Sequence, residues 1–345
     1  MAPGIRSDKS RANIFDVAEL AGVSIKTVSR VVNKEPNVQR STREKVESAI
    51  HALAYRPNAA ARGLSGKRSY VIGLVYENPR EFSYMKDVLN GALEACETGG
   101  YSLLLRPLKL PNESLADDIR QFVLQTRLDG MVLTAPICDY STVTSLLTEM
   151  KIPCALISPT ERREDRLSIA CNDEEASASL TQILISQGHK SIGFIKGHPD
   201  HSATNNRFQG YCRALEENKI RFSEKMVRQG YFSFESGKDC AKNLMELGNR
   251  PSAIIASNDD MAAGVIFEAH EKGLKIPSEL SVVGFDDTPI ATQIWPPLTT
   301  VRQPIVEMSR TLTNLLIVEL QSRHRQLSPA PFSCEMVIRS SSGPR

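Results

Sequence analysis

From Ser69 onward the chain alternates short β-rich apolar runs with amphipathic helical segments, and no other feature narrows its possible folds as far. The strand candidates are YVIGLVY, YSLLLRP, GMVLTAP and CALIS, then, after SIACND, the runs SIGFIKG, VRQGYF, AIIASN and SVVGFDD. Between them lie stretches with helical periodicity, such as YMKDVLNGALEACETGG, ASASLTQILISQGH and DDMAAGVIFEAHEKG. Parallel strands need a long crossover, which a helix supplies, so this alternation predicts βα units around parallel sheets. Two successive sets predict two similar α/β subdomains, with LTTVRQP onward providing the return crossings. A length of 345 residues, 41% of them apolar, is enough for two or three cores.

The first 70 residues follow a different plan. Asn13 can cap a helix with Asp16 three positions on, and FDVAELA runs to Gly22, the residue best suited to the positive φ of a tight turn. Ser24 can cap a second helix, with Val28, Val31 and Val32 on one side and Lys26, Ser29, Arg30 and Asn33 on the other. Ala18 is small enough to let two such helices cross closely, so Ala18, Gly22 and Val28 fit a helix-turn-helix. A third helix is predicted from STREKVESAIHALAY, with Ser41 and Glu44 as a capping box and Val46, Ala49, Ile50 and Leu53 as its apolar stripe. Residues 1–70 carry 13 Lys/Arg against 6 Asp/Glu, a net of +7, while the rest carries 29 against 34. A basic head on an acidic body suits a polyanion, and an exposed helix bearing Lys26, Ser29, Arg30 and Asn33 suits the major groove of duplex DNA.

Beyond Tyr55 comes RPNAAARGLSGKRS, in which Asn58 can cap only about two helical turns, too few to be stable alone in water. Here the chain resembles the headpiece of the LacI/GalR family of bacterial transcription regulators. The resemblance rests on NIFDVAELAGVSIKTVSRVVN, on STREKVESAIHALAYRPNAAARGLSGKRS and on the strand YVIGLVY. It implies a hinge helix that forms on operator DNA, pairs with its dimer mate in the minor groove and inserts a leucine, here Leu64, between base pairs. The DNA-binding set is then Ile25, Lys26, Thr27, Ser29, Arg30 and Asn33 from the head, with Asn58, Ala61 and Leu64 from the hinge.

The resemblance continues nearly to the end of the chain as the type 1 periplasmic-binding-protein fold. It implies a headpiece over 1–56, a hinge segment over 57–68 and an effector-binding core over 69–345. Within the core an N-subdomain takes about 69–170 and 303–330, and a C-subdomain about 171–302 and 331–345. Ligands of open α/β sheets bind beyond the carboxyl ends of the strands. That rule alone selects Tyr76, Glu77, Asn78, Thr134, Ser158, the HPDHSATNNR loop, Phe232, SND and FDD. The family resemblance adds weight to Arg207, to Asn258 of the ND motif and to Asp286 of the GxDD motif. Arg207 donating in a fork and Asp286 accepting would hold vicinal hydroxyls of a sugar. Phe232 falls where several relatives place a stacking tryptophan, with Phe82 and Tyr84 as a candidate opposite wall. Asp259 reads as a helix cap and Asp287 as a turn residue.

The seven cysteines are never closer than 16 residues and make neither a zinc spacing nor a CxxC pair. They read as reduced thiols of a cytoplasmic protein. HPDH offers His198, Asp200 and His201 without a third ligand at a recognised spacing, so a pocket lip is expected there and no metal. The dinucleotide, P-loop, zincin and hydrolase motifs are missing, and no cofactor is expected. The resulting expectation is a homodimeric, sequence-specific repressor of carbohydrate-utilisation genes, released from near-palindromic operator DNA by a small sugar-type effector. The alternatives are a corepressor-dependent regulator with a purine-like ligand, and an enzyme of sugar metabolism with a DNA-binding appendage.

Overall fold

The computed structural model describes residues 12–32, 37–55, 68–77, 83–163 and 165–345. Asn33, Asn58, Ala61 and Leu64 of the expected DNA-binding set, and Asn78 and Phe82 of the expected effector site, lie outside the described residues. The chain divides into two compact units, Met1–Tyr70 and Val71–Arg345.

The first unit holds α1 (Ile14–Ala21), α2 (Ile25–Val32) and α3 (Arg40–Ala52). Asn13 Oδ1 accepts from the N–H of Phe15 at 2.8 Å and of Asp16 at 3.3 Å, and Asp16 returns a bond to the Asn13 N–H at 2.8 Å. This reciprocal box satisfies amides that the first turn cannot. Gly22 ends α1 in the left-handed region at φ 64°. Ser24 Oγ then accepts from the Thr27 N–H at 3.2 Å and opens α2. Val17, Ala18, Val28, Val31, Val46 and Ala49 are buried together, so small side chains at the helix crossing close one shared core. The expected box at Ser41 does not form. The Arg43 N–H already bonds the Gln39 carbonyl at 3.0 Å, which starts the helix before Ser41, and Glu44 pairs with Arg40 instead.

The second unit is built on two parallel sheets. The first contains β1 (Val71–Glu77), β2 (Ser102–Leu108), β3 (Gly130–Thr134), β4 (Cys154–Ile157) and β5 (Leu167–Ile169), in the order β2-β1-β3-β4-β5. Its helices are α4 (Ser83–Gly99), α5 (Leu115–Thr126) and α6 (Ser141–Glu149). The second contains β6 (Ile192–Lys196), β7 (Val227–Gln229), β8 (Ala253–Ala256) and β9 (Ser281–Val283), in the order β7-β6-β8-β9. It carries α7 (Asp173–Ser186), α8 (Ser202–Glu217), α9 (Phe234–Met245) and α10 (Asp259–Glu271). β5 is a strand that the sequence reading left out, and Ala155 pairs with its Leu167.

The chain passes between the two sheets three times. It crosses first between β5 and α7. After α11 (Ile290–Gln293) and β10 (Thr300–Arg302) it crosses back to α12 (Ile305–Ser322), which packs against α4. A Cβ at Gly91 of α4 would collide with the Val306 carbonyl, so only glycine permits that approach. The third crossing runs beside the first: the Phe332 N–H bonds the Ala170 carbonyl and the Asn172 N–H bonds the Phe332 carbonyl. The chain then forms β11 (Glu335–Val337), antiparallel to β10.

Candidate effector site and nucleic-acid interface

All the strands of each sheet point the same way, so their carboxyl ends gather the loops that follow them. Glu77 ends β1 and Thr134 ends β3, while Ser158 follows β4 directly. From the other sheet come the 197–201 loop after β6, Phe232 after β7, Asn258 after β8 and Asp286 after β9. Two hydrogen bonds join the loops of one sheet to those of the other. Glu77 Oε2 lies 3.3 Å from His201 Nε2, and Ser202 Oγ donates to the Ser158 carbonyl at 3.1 Å.

Arg207 projects from α8 into a fully buried position. Its Nε donates to Asp173 Oδ1 at 2.8 Å, one terminal nitrogen donates to the Ser257 carbonyl and stands 3.5 Å from Asp286 Oδ1, and its carbon lies 3.7 Å from the Phe285 ring centroid. Two carboxylates thus share one guanidinium, and the closer of them is Asp173. Burial pushes the Asp286 carboxyl up to about 7, against the opposing pull of Arg207 and of the bond from Gln303. Burial, helped by nearby Cys171, Asp286 and Asp173 and opposed by Ser158, raises the pKa of the Tyr84 hydroxyl. Tyr84 therefore stands near Ser158 and within electrostatic range of Asp286, the carboxylate 3.5 Å from Arg207. Thr134, at the end of the central strand, is buried, and its hydroxyl has no hydrogen-bond partner among the described residues.

Ser158 (φ 53°), Phe232 (φ 61°) and Asp286 (φ 109°) all hold backbone conformations that favour glycine. Such strain persists only where surrounding structure imposes it, and it gathers at functional sites. Asn258 supplies part of that constraint at Phe232. Its Nδ2 donates to the Phe232 carbonyl at 3.0 Å, and its Oδ1 accepts from the Met261 N–H at 3.0 Å. Asn258, rather than Asp259, is thus the cap of α10. Asp259 is wholly buried, accepting from the Thr288 N–H at 2.7 Å and the Thr300 hydroxyl at 2.5 Å, and burial holds its pKa well above the usual carboxylate range. Asp287 ties down Arg302 at 2.8 Å and Arg339 at 2.6 Å, which is more than a turn function.

Two residues of the site were missing from the sequence reading. Asp173 opens α7 directly after the first crossing, a placement the strand-end rule could have flagged. Gln303 sits at the second crossing and carries no local signal. Phe285, the first residue of the selected FDD run, lies under Arg207. In the HPDH loop His198 Nδ1 stands 3.9 Å from Asp200 and His201 faces Glu77. Among the described residues no group of three or more His, Cys, Asp or Glu could hold a metal ion.

In the head, Lys26 and Arg30 lie on the exposed side of α2 and Ile25 is 40% exposed. Thr27 and Ser29 are half-buried, and the Thr27 hydroxyl lies 2.9 Å from Ser24 Oγ. The exposed face carries the cations and the opposite face carries Val28 and Val31, the division a groove-reading helix needs.

A helix-turn-helix head together with a two-sheet core that gathers hydrogen-bonding groups at its strand ends defines a DNA-binding transcription regulator that responds to a small molecule. The bacterial regulatory-protein lacI family profile matches residues 13–58, and a periplasmic binding protein-like domain profile matches residues 181–342. The chain is 34% identical to the HTH-type transcriptional repressor PurR of Vibrio atlanticus, over 95% of this chain and 98% of that protein. It is 32% identical to the HTH-type transcriptional regulator AscG of Escherichia coli, over 95% and 97%. Among solved structures it resembles the lac repressor dimer bound to operator and the anti-inducer ONPF (TM-score 0.75, 27% identity, 97% and 100% covered). It also resembles the transcriptional regulator CelR–cellobiose complex (TM-score 0.74, 26% identity, 96% and 100% covered). The chain belongs to the LacI family: it is a DNA-binding, effector-responsive transcription regulator and not an enzyme. No helix among the described residues is long and apolar enough to cross a membrane.

Proposed function

We propose that this regulator is a homodimeric repressor of carbohydrate-utilisation genes, released from its operator when a neutral sugar enters the site around Arg207 and Asp286. The observation that carries this reading is the charge balance of the site. Arg207 is already paired with Asp173, so among the described residues around it an anionic ligand would meet Asp286, Asp173 and Glu77 and a cation that is already engaged. Hydroxyl groups, by contrast, find acceptors in the carboxylates, donors on the outer edge of the guanidinium, and partners in Thr134 and Tyr84. Phe232 supplies an apolar face for the ring. The complex of CelR with cellobiose supports a saccharide, and the lac repressor dimer supports two copies per operator. Exposed apolar groups favour the dimer as well: Leu104 and Leu105 lie on the edge strand β2, Leu93 on the adjacent α4, and Trp295 is 79% exposed. Ile25, Lys26, Thr27, Ser29, Arg30 and Asn33 would meet the major groove, with the 57–68 hinge in the minor groove.

The test is a thermal-shift screen with mono- and disaccharides, sugar acids and purines, followed by fluorescence polarisation on DNA upstream of the protein's own gene. A ligand at 100 times its Kd contributes about 2.7 kcal/mol, enough for a shift of several degrees. The expected result is stabilisation by a neutral saccharide that also weakens DNA binding. Stabilisation by a purine that tightens DNA binding, with no saccharide active, would establish corepression instead.

A further inference from the structure

The effector residues of the second sheet follow the carboxyl ends of its strands, and the opposite ends of β6, β8 and β9 border a second cavity of about 250 Å³. Arg250 reaches it from the turn before β8, Ser278 and Glu279 from the turn before β9, and Arg345 from the segment that follows Gly343. His189 forms its inner wall and is 2% exposed. The ring Nδ1 stands 2.9 Å from Ser252 Oγ, and Nε2 stands 3.1 Å from Ser281 Oγ and from the Gly343 carbonyl. A carbonyl only accepts, so Nε2 carries a proton and holds the segment that bears Arg345. The Arg345 N–H adds a bond to the Gln187 carbonyl at 3.0 Å. Burial holds the His189 pKa below its ordinary value against the bond to Gly343, and the charge of Arg345 adds to the effect.

The cations of this cavity are not spent on the protein. Arg250 Nη1 is buried without a hydrogen-bond partner among the described residues, and neither guanidinium forms an ion pair there. Glu279 is the carboxylate side chain of the lining, and its Oε2 already accepts from the Lys275 N–H at 2.9 Å. A buried donor left without an acceptor is costly, which is why such groups almost always have one. We propose that Arg250, Arg345 and Ser278 bind a phosphate group, free or carried by a small ester, at the amino ends of the second sheet. Phosphate oxygens match the planar fork of a guanidinium, and the Ser278 hydroxyl can donate to a third oxygen. The volume lies just under the roughly 300–1,000 Å³ of drug-sized pockets, so the cavity takes an ion or a small ester. This site is separate from the one at Arg207 and Asp286, because the two lie beyond opposite ends of the same strands. An occupant would bridge the turn before β8 and the segment at Arg345, fastening that segment to the sheet.

The experiment titrates the full-length chain by calorimetry with inorganic phosphate and, separately, with glycerol 3-phosphate, at one ionic strength set with chloride. Hydrogen exchange of residues 341–345 is followed in parallel. The expected result is one phosphate group bound per chain, weakened about tenfold or more in Arg250→Gln and in Arg345→Gln, with slower exchange of that segment in the parent chain at saturation. Tighter binding of the ester assigns the site to a phosphate ester, and equal or weaker binding assigns it to the free ion; either supports the site. Because the exchange measurement needs no variant to fold, it stands without the substitutions. Binding that survives both glutamine variants and disappears from Lys26→Ala would place the ion on the head and overturn the site. Failure of both probes to bind, or binding with unchanged exchange of residues 341–345, would overturn it as well.

Discussion

Asp286 sits where two demands conflict. Its backbone is held at φ 109° and its side chain is 10% exposed, yet its nearest cation is shared with Asp173. Desolvation wins over the distant half of that pairing, which is why the carboxyl rises to about 7. The folded chain therefore binds a proton there more tightly than the unfolded chain does. The corresponding stability is fully present below the unfolded pKa near 4 and is lost as pH rises through about 7, at about 1.4 kcal/mol for each unit of displacement. In Asp286→Asn the proton is replaced by an amide that cannot ionise, so the denaturation midpoint should fall less steeply between pH 5 and pH 8 than in the parent chain. Part of the slope should persist, because Asp259 is displaced in the same direction by its own burial. Equal slopes in the two chains, measured by urea denaturation at each pH, would show that Asp286 is ionised throughout that range.

Elements differ in how openly the sequence announces them. The head was legible almost to the bond, since capping at Asn13, the turn at Gly22 and the stripe through Val28 and Val31 are local effects. Only the start of α3 was misplaced, where Arg40 competes for Glu44 and Gln39 closes the first turn. The long parallel strands were visible as apolar runs, whereas Leu167–Ile169 is too short to show a period of its own. The strand-end rule selected most of the residues that the fold gathers at the candidate site because it depends on topology. It could not find Gln303 or rank Asp173, whose partners lie 17 and 34 residues away. Confusing Asn258 with Asp259 has the same origin: either can cap, and the choice falls to Thr288 and Thr300, which only the fold brings near. For α2 the expectation is quantitative. Alanine at Lys26 or at Arg30 should cost about 1–3 kcal/mol of operator binding where the side chain reads a base edge, and should lower the salt slope by about 1 where it meets a phosphate. Lys242→Ala, on the exposed side of α9, should change neither. Unchanged affinity and salt slope in both head variants would remove α2 from the interface.

In the whole molecule, binding at the core has to be felt at the head, and the physical currency is a coupling free energy. Glu77–His201 and Ser202–Ser158 join loops from opposite sheets, so a ligand between them alters the balance between closed and open arrangements of the core. A ligand that favours one arrangement by a given factor changes DNA affinity by that factor, and DNA must change the ligand's affinity equally. Couplings of this type usually amount to about 1–3 kcal/mol, or roughly 5–150-fold. We propose that residues 57–68 carry the whole of it, because they are the covalent link between the headpiece and the core. Replacing them with a Gly/Ser run of equal length should leave effector affinity in the absence of DNA within about twofold, since nothing at Arg207 or Asp286 changes. The ratio of operator affinities with and without effector should then fall to one, while residual binding to DNA keeps a strong salt dependence from Lys26 and Arg30. Calorimetry for the effector and polarisation for the DNA measure the two arms separately. If the substituted chain still shows a coupling of fivefold or more, the message does not pass through the connector, and the heads must be sensing the core by direct contact.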